Sequence, residues 1–233
     1  MEAKGQSAEI MVAEARKAFW TMVGFLALIW ALQIVNWISG YSLSYHYGIR
    51  GWTPSTLPGI ATSPFLHWSW EHIEANSGPL FVFGFLSAYR GVVRFLGVTG
   101  LIILVSGLGA WLTASSMSVG AGASGVVFGY FGYVLVRGAF DRHLIDIVVG
   151  IVMALCFAYQ FTGLLPQEGV GWQAHAFGFL AGLLGGWLFR NRTHAAASTS
   201  ASASASKAGP AARPSSPEDS RAALLKELDD LGL

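Results

Sequence analysis

Six long apolar runs constrain this chain more than any other feature, because each is long enough to cross or nearly cross a lipid bilayer. They cover Phe19–Ile38, Glu71–Ser87, Phe95–Leu112, Ser124–Val136, Leu144–Leu165 and Gln173–Phe189. Only 12% of the residues are charged, whereas soluble domains carry roughly 25%. Since backbone polar groups in a bilayer must be paired within the protein, the pattern predicts an all-α membrane protein that forms a six-transmembrane-helix bundle.

The distribution of basic residues predicts the orientation of the bundle. With the N-terminus in the cytoplasm, Arg50 is the only one of the 14 Lys and Arg residues that falls outside, which is a strong positive-inside pattern. We therefore expect a multi-pass protein of the plasma membrane, with the lipid bilayer as a partner and both termini in the cytoplasm. A net charge of +1 argues against nucleic acid, which requires a strong basic excess.

Composition divides the chain into four regions. Residues 1–18 form a polar N-terminal segment on the cytoplasmic side, and residues 19–190 contain the six-helix domain. Residues 191–219 are rich in Ala, Ser and Pro, so we expect a disordered cytoplasmic tail. Residues 220–233 place four leucines on one helical face, which predicts a short amphipathic helix.

A serine opens the fourth apolar run. It lies in Gly122-Ala123-Ser124-Gly125, after an uncharged stretch rich in Ser and Gly, so we expect the fourth helix to begin part-way into the bilayer with Ser124 in its first turn. The free N–H groups and the positive dipole end of such a turn favour developing negative charge. Considered alone, Ser124 is explained at least as well as an ordinary N-cap.

His175 opens the sixth run, and an imidazole inside a membrane helix is costly unless it has a role. Small residues recur around the serine and the histidine at Gly122, Gly125, Gly129, Gly178 and Gly182. Small residues at such spacings let two helix backbones approach closely. Close approach is what a serine–histidine pair needs, because the base must reach the hydroxyl to form a hydrogen bond. The sequence therefore favours a nucleophile and base on neighbouring helices.

Two further polar residues, His72 and Asn76, lie four apart on one face of the second predicted helix. As donors they could stabilise an oxyanion together with the backbone N–H of Ser124, although a simple polar cluster at the mouth of a helix explains them too. A metal site made by His72 and His175 is a weaker alternative, because these residues lack ligand spacing. No acidic residue is well placed for a triad, so we expect a serine–histidine dyad with no metal and no cofactor.

Taken together, three motifs resemble those of the rhomboid intramembrane serine proteases, and the resemblance covers roughly residues 48–189. They occur in the family's order as His72-x-x-x-Asn76, Gly122-x-Ser124-Gly125 and Ala174-His175-x-x-Gly178-x-x-x-Gly182. The chain is most similar to bacterial members of the actinobacterial type. The resemblance implies a rhomboid-like bundle, with Ser124 as nucleophile and His175 as base. It also implies that His72 and Asn76 donate hydrogen bonds to the oxyanion.

The chain departs from the family pattern at a few positions. Phe128 stands where many relatives have a tyrosine that packs on the base, and it keeps the aromatic face while losing the hydroxyl. We expect activity to survive this change. Ala88 replaces a glutamate that is common near the end of the second helix, and a Trp-Arg pair in the first outer loop is not evident. These differences concern the anchoring of the first outer loop and the stability of the protein rather than the catalytic chemistry.

The function predicted from these features is an intramembrane serine endopeptidase, which hydrolyses peptide bonds in or next to transmembrane segments of substrate proteins. One alternative is a non-catalytic relative that binds transmembrane helices, and the retained Ser124 and His175 argue against it. Another is a small transporter, which would show repeat symmetry between the two halves of the chain, and no such repeat is evident in the sequence. The natural substrate and the oligomeric state stay open.

Overall fold

The structure, a computed structural model, describes residues 2–167 and 169–190. The predicted tail and the predicted amphipathic helix lie outside these residues. The described residues form eight α-helices: α1 (Glu2–Ile38), α2 (Ser42–Tyr47), α3 (Gly59–Thr62), α4 (Trp70–Ala88), α5 (Val92–Thr113), α6 (Ser124–Asp141), α7 (Leu144–Cys156) and α8 (Trp172–Leu188). Short 3₁₀ helices cover Pro54–Thr56, Ser63–Phe65 and Ala158–Leu164. The predicted all-α fold is therefore confirmed.

Among the described residues, two helical segments are long and apolar enough to cross a membrane, Glu9–Ile38 of α1 and Val92–Thr113. The pair formed by α7 and the following 3₁₀ helix passes the same test but bends by 71°. The helices α4, α6 and α8 contain 19, 18 and 17 residues and correspond to the other predicted spans. The chain is thus a helical membrane protein. That it crosses the membrane six times stays a prediction.

The first helix is longer than the first apolar run. It begins at Glu2 instead of Phe19 and runs without a break through the segment that was expected to precede the bundle. That segment is rich in Ala, Glu, Met and Lys, which are strong helix formers. An ion pair of 2.7 Å between Glu14 and Lys17 also links two positions one turn apart.

The fifth predicted span, Leu144–Leu165, is a broken helix instead of a continuous one. α7 ends at Cys156, and the chain resumes as the 3₁₀ helix Ala158–Leu164. Phe157 lies at the break, where its ring packs against Phe83 of α4 with centroids 4.8 Å apart. The 3₁₀ helix then runs against α8, so the bend brings this part of the backbone to the start of the sixth predicted span.

α6 is the central helix and packs against α4, α5, α7 and α8. Every residue from Gly125 to Val134 is buried, as expected for a helix that is surrounded by others. The hydroxyl group of Tyr130 lies 2.7 Å from that of Thr99, which satisfies a polar atom in the core. The ring of Phe131 packs against Phe83 at 5.1 Å. These contacts hold α6 against α5 and α4.

The backbones of α6 and α8 touch through glycines. Gly178 lies against the carbonyl oxygen of Gly125, and Gly182 lies against that of Gly129. A methyl group at Gly178 or Gly182 would overlap the facing oxygen. This is the close approach that small residues allow between membrane helices, and it places the first turns of α6 and α8 side by side.

The first loop, residues 39–69, packs on the chain that leads into α6. Ile49 and Gly120 form an isolated antiparallel bridge and exchange two backbone hydrogen bonds of 2.8 Å. The N–H of Gly122 donates to the carbonyl oxygen of Ser63 at 3.0 Å. The chain entering α6 is thus tied to a preceding loop by main-chain bonds.

The opposite end of α6 carries a charged cluster. Its members are Arg90, Arg94, Arg137, Asp141, His143 and Asp146. Asp146 is buried and pairs with Arg90 and, at 3.3 Å, with Arg137. Arg137 also donates to the carbonyl oxygen of Leu86. The cluster therefore joins the ends of α4 and α6 to the start of α7.

Candidate active site

Ser124 is the first residue of α6 and follows a turn that requires a glycine. Gly122 adopts φ +150°, a conformation that residues with a side chain rarely adopt. A Cβ atom there would also lie 2.7 Å from Cε1 and 2.8 Å from Nε2 of His72. Two independent constraints therefore exclude a side chain at Gly122. The resulting turn lets the chain enter α6 with Ser124 in the first helical turn.

Ser124 and His175 meet across the contact between α6 and α8. The hydroxyl oxygen of Ser124 lies 2.8 Å from Nε2 of His175, and Nδ1 of His175 lies 2.9 Å from the carbonyl oxygen of Gly163. A carbonyl only accepts hydrogen bonds, so this pairing assigns the proton to Nδ1 and leaves Nε2 to accept from the serine. A backbone carbonyl thus orients the imidazole, in the position that a carboxylate takes in a triad.

Phe128 covers one face of the His175 ring. The two rings are stacked, with centroids 4.3 Å apart and planes inclined by 10°. Phe128 lies one turn after Ser124 and so shares its face of α6. A Cβ atom at Gly163 would lie 2.6 Å from the tip of the Phe128 ring. The phenyl ring, the 3₁₀ helix and the imidazole therefore pack as one unit that restricts rotation of His175.

His72 lies on α4 next to the turn that carries Ser124, and Asn76 lies one turn further along the same face of α4. Ser69 caps this helix by accepting a hydrogen bond of 3.1 Å from the N–H of His72, and the His72 ring lies against Gly122. Asn76 is buried, and its amide nitrogen has no hydrogen-bond partner in the described part of the chain. Buried donors are usually paired, so this amide is available to a group that enters the site.

The site contains two groups to which the sequence assigns no role. The Gly163 carbonyl is a backbone acceptor, and no side-chain pattern marks such a group. His67 is fully buried in the first loop, and its Nε2 accepts a hydrogen bond of 3.3 Å from the N–H of Ala123. In the sequence, His67 ends the Pro64-Phe-Leu-His67 segment, which resembles that of bacterial rhomboids, and stands five residues before His72. Neither pattern says what the ring contacts.

A cavity of about 30 Å³ adjoins the turn before α6. Its lining includes the hydroxyl-bearing residues Ser63 and Ser106, together with Gly122 and Gly125. This volume is sufficient for one water molecule. Among residues 2–167 and 169–190, no three His, Cys, Asp or Glu side chains are grouped in a way that could hold a metal ion.

Comparison with known proteins gives a consistent result. A family model described as the Rhomboid domain matches residues 54–192. An uncharacterized protein of Mycobacterium tuberculosis is 36% identical over 177 residues, which cover 72% of this chain and 73% of the relative. An uncharacterized protein of Mycobacterium leprae is 33% identical over 177 residues, with coverage of 72% and 70%. The rhomboid protease GlpG of Haemophilus influenzae is 25% identical over 181 residues, with coverage of 76% and 93%.

Proposed function

The chain belongs to the Rhomboid family, and from this premise we propose that it is an intramembrane serine endopeptidase with Ser124 as nucleophile and His175 as general base. The observation that carries the proposal is the 2.8 Å hydrogen bond between the Ser124 hydroxyl and Nε2 of His175. A similar protein from Haemophilus influenzae is named a rhomboid protease, which supports proteolysis as the reaction.

In the first step, Ser124 Oγ attacks the carbonyl carbon of the scissile peptide bond while its proton passes to Nε2 of His175. The imidazolium that forms keeps its Nδ1–H directed at the carbonyl oxygen of Gly163, which lies 2.9 Å away. A partially negative carbonyl oxygen favours this cation. Stacking against Phe128 holds the ring in place while the proton moves, so little reorganisation is needed.

The negative charge that develops on the substrate carbonyl oxygen needs donors. The first N–H groups of α6 have no partner within the helix, and the positive end of the helix dipole is directed at the same place. We assign His72 and Asn76 as additional donors. The buried, unpartnered amide nitrogen of Asn76 supports this role, because such a donor gains a hydrogen bond only when the oxyanion forms.

The second half of the reaction returns the protein to its starting state. Nε2 of His175 gives its proton to the leaving amine as the carbon–nitrogen bond breaks, which leaves an acyl group on Ser124. His175 then takes a proton from water while the water oxygen attacks the acyl carbon. The bond to Ser124 breaks, the hydroxyl regains a proton, and the new carboxyl terminus is released.

Substrates of this site would be transmembrane segments that unwind locally. A peptide bond inside a helix has its carbonyl carbon shielded, so small or helix-breaking residues next to the cleaved bond favour attack. Ser124 and His175 lie at the first turns of α6 and α8. By the positive-inside orientation, both turns lie at the outer face of the plasma membrane, with both termini in the cytoplasm. Water would reach the site from that face.

Cleavage by purified protein in detergent tests the proposal. We expect Ser124→Ala and His175→Ala each to lower kcat on a model transmembrane substrate by ~10⁴-fold or more, since removal of either member of the pair destroys the activated nucleophile. Thermal unfolding of both variants should stay close to that of the native chain. Cleavage at the native rate by folded Ser124→Ala protein would overturn the assignment.

A further inference from the structure

His67 lies outside the proposed catalytic machinery and yet contacts the residue that precedes Ser124. Its Nε2 accepts the N–H of Ala123 at 3.3 Å. Ala123 has φ −72° and stands immediately before α6, so its N–H lies outside the hydrogen-bond ladder of that helix. The His67 ring therefore supplies an acceptor for a backbone donor at the entry to the nucleophile turn.

The backbone of His67 is itself firmly held. Its carbonyl oxygen accepts from the side-chain amide of Asn36 at 2.8 Å and from the hydroxyl of Ser44 at 3.1 Å. The backbone N–H of Ser44 donates to the Asn36 side chain at 3.1 Å. All three residues are fully buried. His67 is thus held by hydrogen bonds to the end of α1 and to the short helix α2, and it links both to the turn before Ser124.

The same ring also contacts the assigned oxyanion donor on α4. His67 and His72 pack edge to face with centroids 5.1 Å apart, and His72 in turn lies against Gly122. One buried ring therefore adjoins both the turn that carries the nucleophile and a group assigned to the oxyanion.

The chemical state of His67 suits a permanent acceptor. Burial, and to a smaller extent the charge of nearby His72, lower the pKa of His67 to about 3. The ring is consequently neutral across the physiological range of pH. With Nε2 as the acceptor, Nδ1 carries the proton, and this buried atom has no partner in the described part of the chain. An unpaired buried donor costs stability, so stability alone does not account for a histidine here.

We propose that His67 is a positioning residue for proteolysis: through the N–H of Ala123 and the edge of His72, it holds Ser124 and the oxyanion donor in reacting geometry. This inference rests on the proposed function. A displacement of about 1 Å in an active site costs on the order of 10²-fold in rate. Loss of the acceptor should therefore slow the chemical step and leave substrate binding unchanged.

A pair of substitutions separates the acceptor from the volume of the side chain. Oε1 of glutamine extends about as far as Nε2 of histidine and accepts a hydrogen bond, whereas leucine has a similar size and accepts none. We expect His67→Leu to lower kcat about 10–100-fold with little change in KM. We expect His67→Gln to stay within about threefold of the native rate, because the acceptor is retained.

The labelling rate of Ser124 is a readout that a purely structural role of His67 would not change. The rate of labelling by a fluorophosphonate should fall in His67→Leu by the same factor as kcat. The acid limb of the pH profile should keep its midpoint in His67→Gln, because a group with a pKa of about 3 does not titrate there. A native labelling rate in His67→Leu, or equal impairment of both variants, would overturn the role of His67.

A second variant keeps the test decisive if His67→Leu fails to fold. His67→Asn keeps a side-chain amide, but its oxygen is one methylene short of the position of Nε2 and does not reach the N–H of Ala123, which Nε2 accepts at 3.3 Å. It should show the same loss of kcat and labelling, whereas His67→Gln should not. A native rate in folded His67→Asn would contradict the proposal. Ser124→Ala, measured in parallel, separates failure of the proposed function from failure of the role of His67. Cleavage by Ser124→Ala contradicts the proposed function. Native labelling in His67→Leu contradicts only the role of His67.

Discussion

The two ends of α6 are built from different chemistry. At its start, Ser124 meets an imidazole nitrogen at 2.8 Å, and glycine backbones of α6 and α8 touch beside it. At its other end, Arg137 is buried among permanent charges and pairs with Asp146 at 3.3 Å. One end thus holds polar groups without a fixed charge, and the other holds charges that are already paired.

Under the proposed function, the difference separates groups arranged for chemistry from groups arranged for stability. A site that stabilises transient charge needs oriented dipoles and free donors, because a fixed ion would pair with them in the resting state. A structural joint built from buried charges needs ions that are already paired in the resting state, since a buried charge is tolerated only with its partner in place. We therefore expect substitutions near Ser124 to change rates, and substitutions near Asp146 to change the free energy of unfolding.

The largest expected effect on stability lies in the charged cluster. Asp146→Ala should lower the free energy of unfolding by about 3–5 kcal/mol, because it leaves Arg90 and Arg137 without their buried partner. Glu14→Ala is the matched control: it breaks an exposed ion pair with Lys17 and should cost no more than about 1 kcal/mol. Equal effects in a denaturation assay would mean that the cluster is not a structural joint.

A substitution at Asn76 tests the role of the uncharged groups near the start of α6. We expect Asn76→Ala to lower kcat by about 10²–10³-fold without abolishing cleavage, since other donors to the oxyanion remain. KM and the midpoint of thermal unfolding should change little, because the amide nitrogen has no resting partner among the described residues. If kcat were unchanged, Asn76 would be a structural residue and its assignment to the oxyanion would be wrong.

The contact between α6 and α8 gives a smaller and more graded test. Gly178→Ala should separate the two helices near Ser124 and His175, because the methyl group would overlap the Gly125 carbonyl. We expect kcat to fall about 10–100-fold. Gly100→Ala, in an exposed part of α5 with no atom within 4 Å of the new methyl, is the control and should leave kcat unchanged. An equal loss in both variants would show that close backbone contact is not required.

Part of this arrangement was predictable from residues alone. The apolar runs predict the helices, and the glycine turn predicts that a helix begins at Ser124, where α6 does begin. The spacing of Gly125, Gly129, Gly178 and Gly182 predicts close helix contact, and the backbones do touch at these positions. Local spacing is sufficient in these cases, because the small residues that form each contact surface are near neighbours on a single helix. The chemical roles of the site residues stay predictions.

The remaining features depend on contacts between distant parts of the chain. The Gly163 carbonyl reaches His175 only because the helix after Cys156 is broken, and a carbonyl group leaves no trace in side-chain patterns. The partner of His67 lies 56 residues further along the chain. The apolar run marks only the span from Phe19, so it gives no signal for the continuation of α1 back to Glu2. Helix propensity, which governs such a segment, is independent of hydropathy.

The central claim is that Ser124 is a nucleophile activated by His175. The most direct measurement is mass spectrometry of the full chain after treatment with a fluorophosphonate, in parallel with His175→Ala and Ser124→Ala. We predict one phosphonyl adduct on Ser124 in the native protein, with labelling slowed at least ~10³-fold in His175→Ala and absent in Ser124→Ala. An adduct on another residue, or labelling of Ser124 at the native rate without His175, would contradict the account.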